Sequence, residues 1–539
     1  MITENPPAES NPVESHDIAL CLSGGGYRAA AFHLGVMKSL DALGYMDRVK
    51  FLSTASGGTI TAMRYAVDRT AGASFKDFYD NMSKFLAKVN VVDEGFKILQ
   101  STPGSTGVNN LSLIRCAAET YRGKLLGKRS GSDGKESDWL IQDLLDGMSE
   151  RKTFRDLIFN SSEFRSGNNF RFRLSTERTL VYGNRNTAIK KEVGNQVELA
   201  DVIAASSCFP GVFEPMRFPD DFRFSDRSKV TQPFRTNDFS FNSISLMDGG
   251  ILDNQGLYGM TVSYEKPPQP FELLIVSDTS SRDDLIYDFD LEPRSQSLTL
   301  KSLLLAIGGC LLMLTISSIW IFVRSIMNFT GALDTIAGLT VSLFVFLFSI
   351  SLLGAGIYGI SKLRAFNFMG YTFPIWRYIK SLTVGDLWTL AKGRATSTGA
   401  MVFNVFMKRI RALQFSNTMS AVDKDTNESL FNGITIFSII YSLIPDKNGN
   451  SALSFSEELK PSKRMVEIAH DASKVGTKLW LSNKDFRTLV DCGRITLCAV
   501  LLDYYWTEKK FQTLPKPEND QSSFHNVYLE WRRLLEEFA

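Results

Sequence analysis

Short apolar runs alternate with helical spacing along the first part of the chain, and two much longer apolar runs interrupt its middle. Ile18 to Leu22 is a compact run of the buried-strand type, and Val49 onward, VKFLSTASGG, is a β-branched and aromatic run that stops at Ser56 and two glycines. Each leads into a helix: roughly Ala29 to Leu43, closed by Gly44, and Thr59 to Arg69. Asn169 to Leu174 alternates apolar and basic residues as a half-buried strand does. Glu198 to Ser206 begins as a helix before Pro210 interrupts, and Ile244 to Met247 predicts a further strand. From Ala71 to about Ser166 the pattern is polar and irregular, with a Gly/Ser/Lys-rich piece at Gly123 to Gly134. That segment reads either as a lid over a site or as a surface excursion without a role.

The long runs change the picture. Leu303 to Val323 holds 21 residues without a charge and Thr335 to Ser361 holds 27, each enough to cross a hydrocarbon core of about 30 Å as a helix. The connection, Arg324 to Asp334, is short, so the two spans return to the same side. Arg294 and Lys301 precede them and Lys362 and Arg364 follow, which places both termini in the cytoplasm. Ser351, Ala355 and Gly359 give the second span a small-residue face for packing on the first or on a neighbouring molecule, leaving a homo-oligomer open. Phe366, Phe368, Tyr371, Phe373, Trp376 and Tyr378 then lie among Arg364, Arg377 and Lys380, a mixture suited to lipid headgroups. Globular patterning resumes at Val384, with a basic helical stretch at Met407 to Gln414, an apolar run at Ile434 to Leu443, and helices around Met465 to His470 and Ile495 to Tyr505. The expected plan is a flexible leader over 1–16, a catalytic core over 17–295 with 71–166 as a lid or cap, and a hairpin over 303–361. Residues 362–539 form an interfacial segment and a helical part that completes the core.

Composition narrows the function. Sixty Lys and Arg against 58 Asp and Glu leave no broad basic footprint for nucleic acid. Six scattered cysteines without a C-x-x-C pair suggest neither a zinc site nor a disulfide framework, which fits a reducing cytoplasm. The acidic sets lack calcium-loop spacing, so the chain is expected to work without metal or other cofactor.

Three stretches carry candidate chemistry. Ser23-Gly24-Gly25-Gly26-Tyr27-Arg28 joins a strand to a helix start, where convergent N–H groups and the helix dipole receive an anion. Gly24-x-Gly26-x-x-Ala29 also satisfies a dinucleotide fingerprint, but the next strand ends in Thr54-Ala55-Ser56 rather than in the acidic residue that would hold a ribose. Ser56 stands where a nucleophile elbow, G-x-S-x-G, places its serine, with Thr54 in place of the first glycine; a turn serine or N-cap has the same local pattern. Asp248, ahead of Gly249-Gly250, presents a carboxylate at a strand end, a position equivalent to that of Ser56.

Taken with AASSCFPGVFEP at Ala204 to Pro215 and DGGILDNQG from Asp248, these blocks resemble the patatin-like phospholipases in order and spacing. The resemblance covers about residues 17 to 290, more weakly Val384 to Tyr505. It implies a three-layer α/β/α sandwich around a mainly parallel sheet, here interrupted by the transmembrane hairpin. It implies a serine lipid hydrolase with Ser56 as nucleophile, Asp248 as its partner and Gly24, Gly25 and Gly26 as the oxyanion loop. Arg28 is a candidate for the lipid phosphate or for a structural ion pair. The four histidines, His16, His33, His470 and His525, are assigned no catalytic part. An aspartate must then serve as base, so Asp248 is expected to titrate above its ordinary range. The whole describes a bacterial inner-membrane enzyme cleaving acyl esters of phospholipids. A catalytically silent lipid-binding module and a signal-gated, membrane-degrading effector with an unknown activating ligand are the alternatives.

Overall fold

A computed structural model describes residues 17–101, 112–130, 134–230, 233–234, 243–262, 271–280, 299–327, 332–364, 367–368, 371–372, 382–401, 406–419, 434–446, 448–507 and 523–539. The expected leader at 1–16, Arg294 and most of the aromatic stretch at 366–380 lie outside the described residues. The chain divides into two compact units, Met1–Asp284 with Met407–Ala539, and Leu285–Phe406.

In the first unit β1 (Ile18–Leu22) leads through the glycine loop into α1 (Gly26–Ala42), and β2 (Val49–Ala55) leads through Ser56 into α2 (Gly57–Ala71). The strands read as continuous apolar runs because alternate side chains serve two cores. Ile18, Leu20, Leu22 and Leu52 face the larger one, and Ala19, Cys21 and Phe51 face the other.

The polar stretch after Ala71 is more regular than its sequence suggests. It forms α3 (Phe75–Lys88), α4 (Val91–Ser101), α5 (Leu113–Thr120) and α6 (Ile141–Arg151), and it ends in the fully buried β3 (Asp156–Glu163). Ser74 and Asp77 form a capping box at the start of α3, and Phe78, Met82, Phe85 and Leu86 line its buried face. Polar solvent-facing sides of amphipathic helices had disguised the periodicity. The chain continues through β4 (Asn168–Ser175), β5 (Val181–Gly183), α7 (Leu199–Ser206), β6 (Met216–Phe218), β7 (Ile244–Asp248), α8 (Leu257–Val262) and β8 (Leu273–Asp278).

The second unit holds α9 (Leu300–Met327), α10 (Ala332–Arg364) and α11 (Val384–Ala400), with α9 and α10 packed on each other. Leu300–Arg324 and Ile336–Gly359 have mean hydropathies of 2.2 and 2.4 and expose most of their apolar side chains, so both are long and apolar enough to cross a membrane. Among the described residues of the two helices, the buried small residues are Ser318, Ser342 and Ser349. Ser351, Ala355 and Gly359 remain exposed, so the stripe singled out from the sequence does not pack on the first helix.

The first unit resumes with α12 (Met407–Met419), β9 (Ile434–Ile439), α13 (Lys463–Lys474), α14 (Asn483–Thr507) and α15 (Ser523–Glu537). Its nine-stranded sheet runs β9-β8-β1-β2-β3-β4-β5, with β7 pairing both β3 and β6. The five strands from β9 to β3 are parallel, and the remaining pairings are antiparallel. α1, α2 and α14 pack into the larger core, while α8 and Phe415 of α12 cover the opposite core, giving three layers.

Candidate active site

Two strands meet head-on along one edge of β3. β2 pairs with Asp156 to Asn160 and turns away after Ala55. β7, running the other way, takes over that edge at Ser161, which pairs with Asp248. Ser56 and Asp248 are therefore both at strand ends, but on strands of opposite direction rather than at equivalent positions of a parallel array. The Ser56 hydroxyl donates to Asp248 Oδ2 at 2.6 Å.

Ser56 has φ 50 and ψ −117, and only Lys152 shares a positive φ among the described non-glycine residues. Such backbone costs on the order of 1–3 kcal/mol and persists only where its surroundings hold it. Here the hold is a run of hydroxyls. The Ser56 N–H donates to Ser206 Oγ at 3.1 Å, and the Ser206 hydroxyl donates to the Asn160 carbonyl at 2.6 Å. With that proton committed, Thr59 Oγ1 donates to Ser206 at 2.8 Å and Thr54 Oγ1 donates to Thr59 at 2.9 Å. Thr54 thus replaces the usual elbow glycine by a buried, fully bonded side chain. Replacing Ser206 by Ala leaves the Ser56 N–H unmatched, and ester hydrolysis is expected to fall about tenfold with roughly 1–2 kcal/mol lost from stability, read by steady-state kinetics and urea unfolding.

Asp248 is 3% exposed, and its Oδ1 accepts the Gly250 N–H at 2.7 Å. Burial pushes its carboxyl up to about 6, against the hydrogen bonds from Ser56 and Gly250 and the charge of Arg411, which pull it down. The upward direction matches the expectation for an aspartate base.

The glycine loop closes the arrangement on the other side. Gly25 and Gly26 have φ 140 and 61, which glycine adopts freely. A Cβ on Gly57 would lie 2.1 Å from the Gly26 carbonyl, so loop and elbow touch backbone to backbone. Among the described residues, the N–H groups of Gly25, Gly26 and Gly57 take no partner. Gly24 differs from the sequence expectation: its N–H donates to the Asn254 carbonyl at 2.8 Å and is not available to an oxyanion.

Arg28 is likewise engaged. Its Nη2 donates to the Thr279 carbonyl at 2.8 Å and its Nη1 to that of Val475 at 3.2 Å, so it clasps the loop to the end of β8 and to the residue after α13. His33 is buried, bonded through Nε2 to the Ser23 carbonyl at 2.8 Å and through Nδ1 to Ser277 Oγ at 2.7 Å. Burial lowers its pKa to about 4, and this neutral imidazole props the base of the loop. The Lys478 carbonyl accepts the Tyr27 N–H at 2.8 Å and lies against Gly26, so the α13–α14 connection covers the loop, and Ser56 is only 6% exposed.

Residues 20–259 match the family model for patatin-like phospholipases. This chain carries a patatin-like phospholipase domain. Its mixed, mainly parallel sheet with helices around it is the patatin fold. Among solved structures, human GIVD cytosolic phospholipase A2 aligns at 12% identity over 51% of this chain and 47% of its own, with a TM-score of 0.32. The chain therefore spans about half the length of that protein. VipD from Legionella pneumophila aligns at 12% identity over 97% of this chain and 92% of its own, with a TM-score of 0.23. Neither likeness is close enough to carry an argument about this chain. A comparison with curated proteins gives no match.

Four residues of the site were not singled out from the sequence. Ser206 and Asn254 fall inside the quoted blocks AASSCFPGVFEP and DGGILDNQG, which is the signal that pointed toward them. Asn160 sits in the middle of β3 without any local mark. Arg411 arrives on α12 of the first unit, beyond residues 20–259, and only the folded chain places it beside Gly250.

Proposed function

We propose that this protein is a membrane-anchored phospholipid acyl hydrolase working through a Ser56–Asp248 dyad. The observation that carries the reading is the 2.6 Å Ser56–Asp248 hydrogen bond on a strained elbow, and a patatin-like domain supports lipid acyl hydrolysis. Ser56 Oγ attacks the acyl carbonyl carbon as its proton passes to Asp248. Negative charge grows on the carbonyl oxygen, where the unpartnered N–H groups of Gly25, Gly26 and Gly57 receive it. Collapse expels the lipid alcohol, which takes the proton from Asp248, and leaves Ser56 acylated. Water then attacks the ester, loses its proton to Asp248, and releases the fatty acid as Ser56 regains its hydrogen.

A carboxylate of ordinary pKa is a weak base for a serine hydroxyl, and burial makes Asp248 a stronger one while leaving it mostly ionised at neutral pH. The two apolar helices span the bilayer, with both termini and the catalytic unit on the cytoplasmic side, as the flanking Arg294, Lys301, Lys362 and Arg364 favour. Tethering raises the effective concentration of the bilayer substrate. The nearly closed site favours a version of this reading in which an opening step precedes turnover.

The test is fatty-acid release from phosphatidylglycerol and phosphatidylcholine vesicles by the full chain, followed from about pH 5 to about pH 8. Asp248 must be ionised to accept the proton, and its raised pKa places the loss of the ionised form below about 6. The rate is therefore expected to rise with pH through about 6 and then level off. Intact phospholipid at every pH would refute the reading.

A further inference from the structure

Arg411 stands at the end of a hydrogen-bonded run that reaches the nucleophile. Its Nε donates to the Gly250 carbonyl at 2.7 Å, the Gly250 N–H donates to Asp248 Oδ1 at 2.7 Å, and Asp248 Oδ2 accepts the Ser56 hydroxyl at 2.6 Å. Gly250 lies in the single turn Gly249–Ile251 directly after β7, so whatever fixes that turn fixes the carboxylate beside it. Arg411 fixes it from outside, held on α12 with Phe415, which packs into the smaller core.

Charge points the same way. Tyr121 and Cys208 face Asp248, and burial drives both of their pKa values up, so they stay neutral while Asp248 titrates. Arg411 is the cation that acts on Asp248, and it also faces Asp278. Asp278 has other partners: Gln255 Nε2 and the Ser280 N–H donate to it at 2.8 and 2.9 Å, and Arg28 faces it too. Asp253, another buried carboxyl nearby, is bound to the Gly259 N–H at 2.7 Å.

We propose, resting on the Ser–Asp reading above, that Arg411 is a positioning residue that orients Asp248 through the Gly250 turn and favours its ionised form. The site is then incomplete within residues 20–259, because part of what sets its base lies on α12, which follows the apolar hairpin in the chain.

The experiment measures the rate constant for labelling of Ser56 by a fluorophosphonate across pH, in detergent, for the full-length parent, R411Q and R411K. Removing the positive charge disfavours the carboxylate, so its pKa rises. The acid limb of R411Q is expected to move up by about half a pH unit or more, which by itself slows labelling near pH 6 about twofold or more. R411K keeps the charge but not the guanidinium fork, and is expected to restore the limb with a plateau a few-fold below the parent. A purely structural role would lower the R411Q plateau without moving its limb, and coincident limbs overturn the proposal. Should R411Q fail to fold by circular dichroism, R411M, which keeps the apolar stem without the charge, is measured in its place: a limb moved up supports the proposal, and a limb coincident with the parent's overturns it. A parent in which Ser56 is not labelled at all refutes the Ser–Asp reading itself, which separates the two failures.

Discussion

Replacement of Ser56 by Ala is expected to abolish fatty-acid release, by about 10⁴-fold or more, and to remove fluorophosphonate labelling while the protein stays folded. In the proposed mechanism the Ser56 hydroxyl is the one group that nothing nearby can replace. Thr54, Thr59 and Ser206 supply three further hydroxyls, but they are bonded in series to one another and to the Asn160 carbonyl, with none directed at Asp248. Alanine keeps a Cβ and so keeps the same demand on φ; a near-parental melting curve would show that the loss is chemical. Asp248→Asn should act almost as strongly. An amide offers one oxygen to the two donors that Asp248 serves, the Ser56 hydroxyl and the Gly250 N–H, and cannot take a proton, so a loss of about 10³-fold is expected in a protein that still folds. Hydrolysis that survives in S56A would exclude the dyad and favour a lipid-binding module with a contaminating activity.

The second large effect is expected far from the chemistry, where α1 crosses α14. A Cβ on Gly35 would lie 2.0 Å from the Val490 carbonyl, and one on Gly493 would lie 2.1 Å from the Phe32 carbonyl. Each helix therefore presses a glycine against the other's backbone, and Ser39 Oγ donates to the Arg494 carbonyl at 3.0 Å in the same contact. Neither backbone can yield as a side chain can. Gly493→Leu is expected to cost about 3 kcal/mol or more, seen as a lower urea midpoint for the first unit. Gly35→Leu should act likewise, and the pair should be less than additive because both remove one crossing. Because α1 starts at the glycine loop, both variants should also slow Ser56 labelling. An unchanged midpoint would mean that the two helices are not in contact in solution.

Much of this organisation was legible along the chain. Strand β1, the glycine loop, the Ser56 elbow and the end of β7 are each marked by local rules: continuous apolar runs for strands buried on both faces, and glycines where backbone must turn sharply or approach closely. The two long apolar helices were equally plain, since each is an unbroken run without a charge. The helices between Ala71 and Arg151 were not, because their buried faces are short and their solvent faces polar, which breaks the periodicity as read in one dimension. Arg28 was left between two readings, a lipid phosphate and a structural ion pair, for a related reason. An arginine after three glycines has the right chemistry for an anion, but backbone carbonyls from Thr279 and Val475, distant in sequence, occupy it first.

By itself, then, the sequence determined the chemical groups and their local geometry: a serine on a turn that glycines permit, a carboxylate at a strand end, and two apolar helices long enough for a bilayer. Only the tertiary structure decided how those groups meet. β7 runs against β2 along the same edge of β3, which brings Asp248 onto Ser56. The Asn254 carbonyl takes the N–H of Gly24 and leaves those of Gly25 and Gly26, and α12 brings Arg411 to the turn beside Asp248. The physical reason is that strand pairing and hydrogen bonds between residues far apart in the sequence depend on register and packing, which no local pattern encodes.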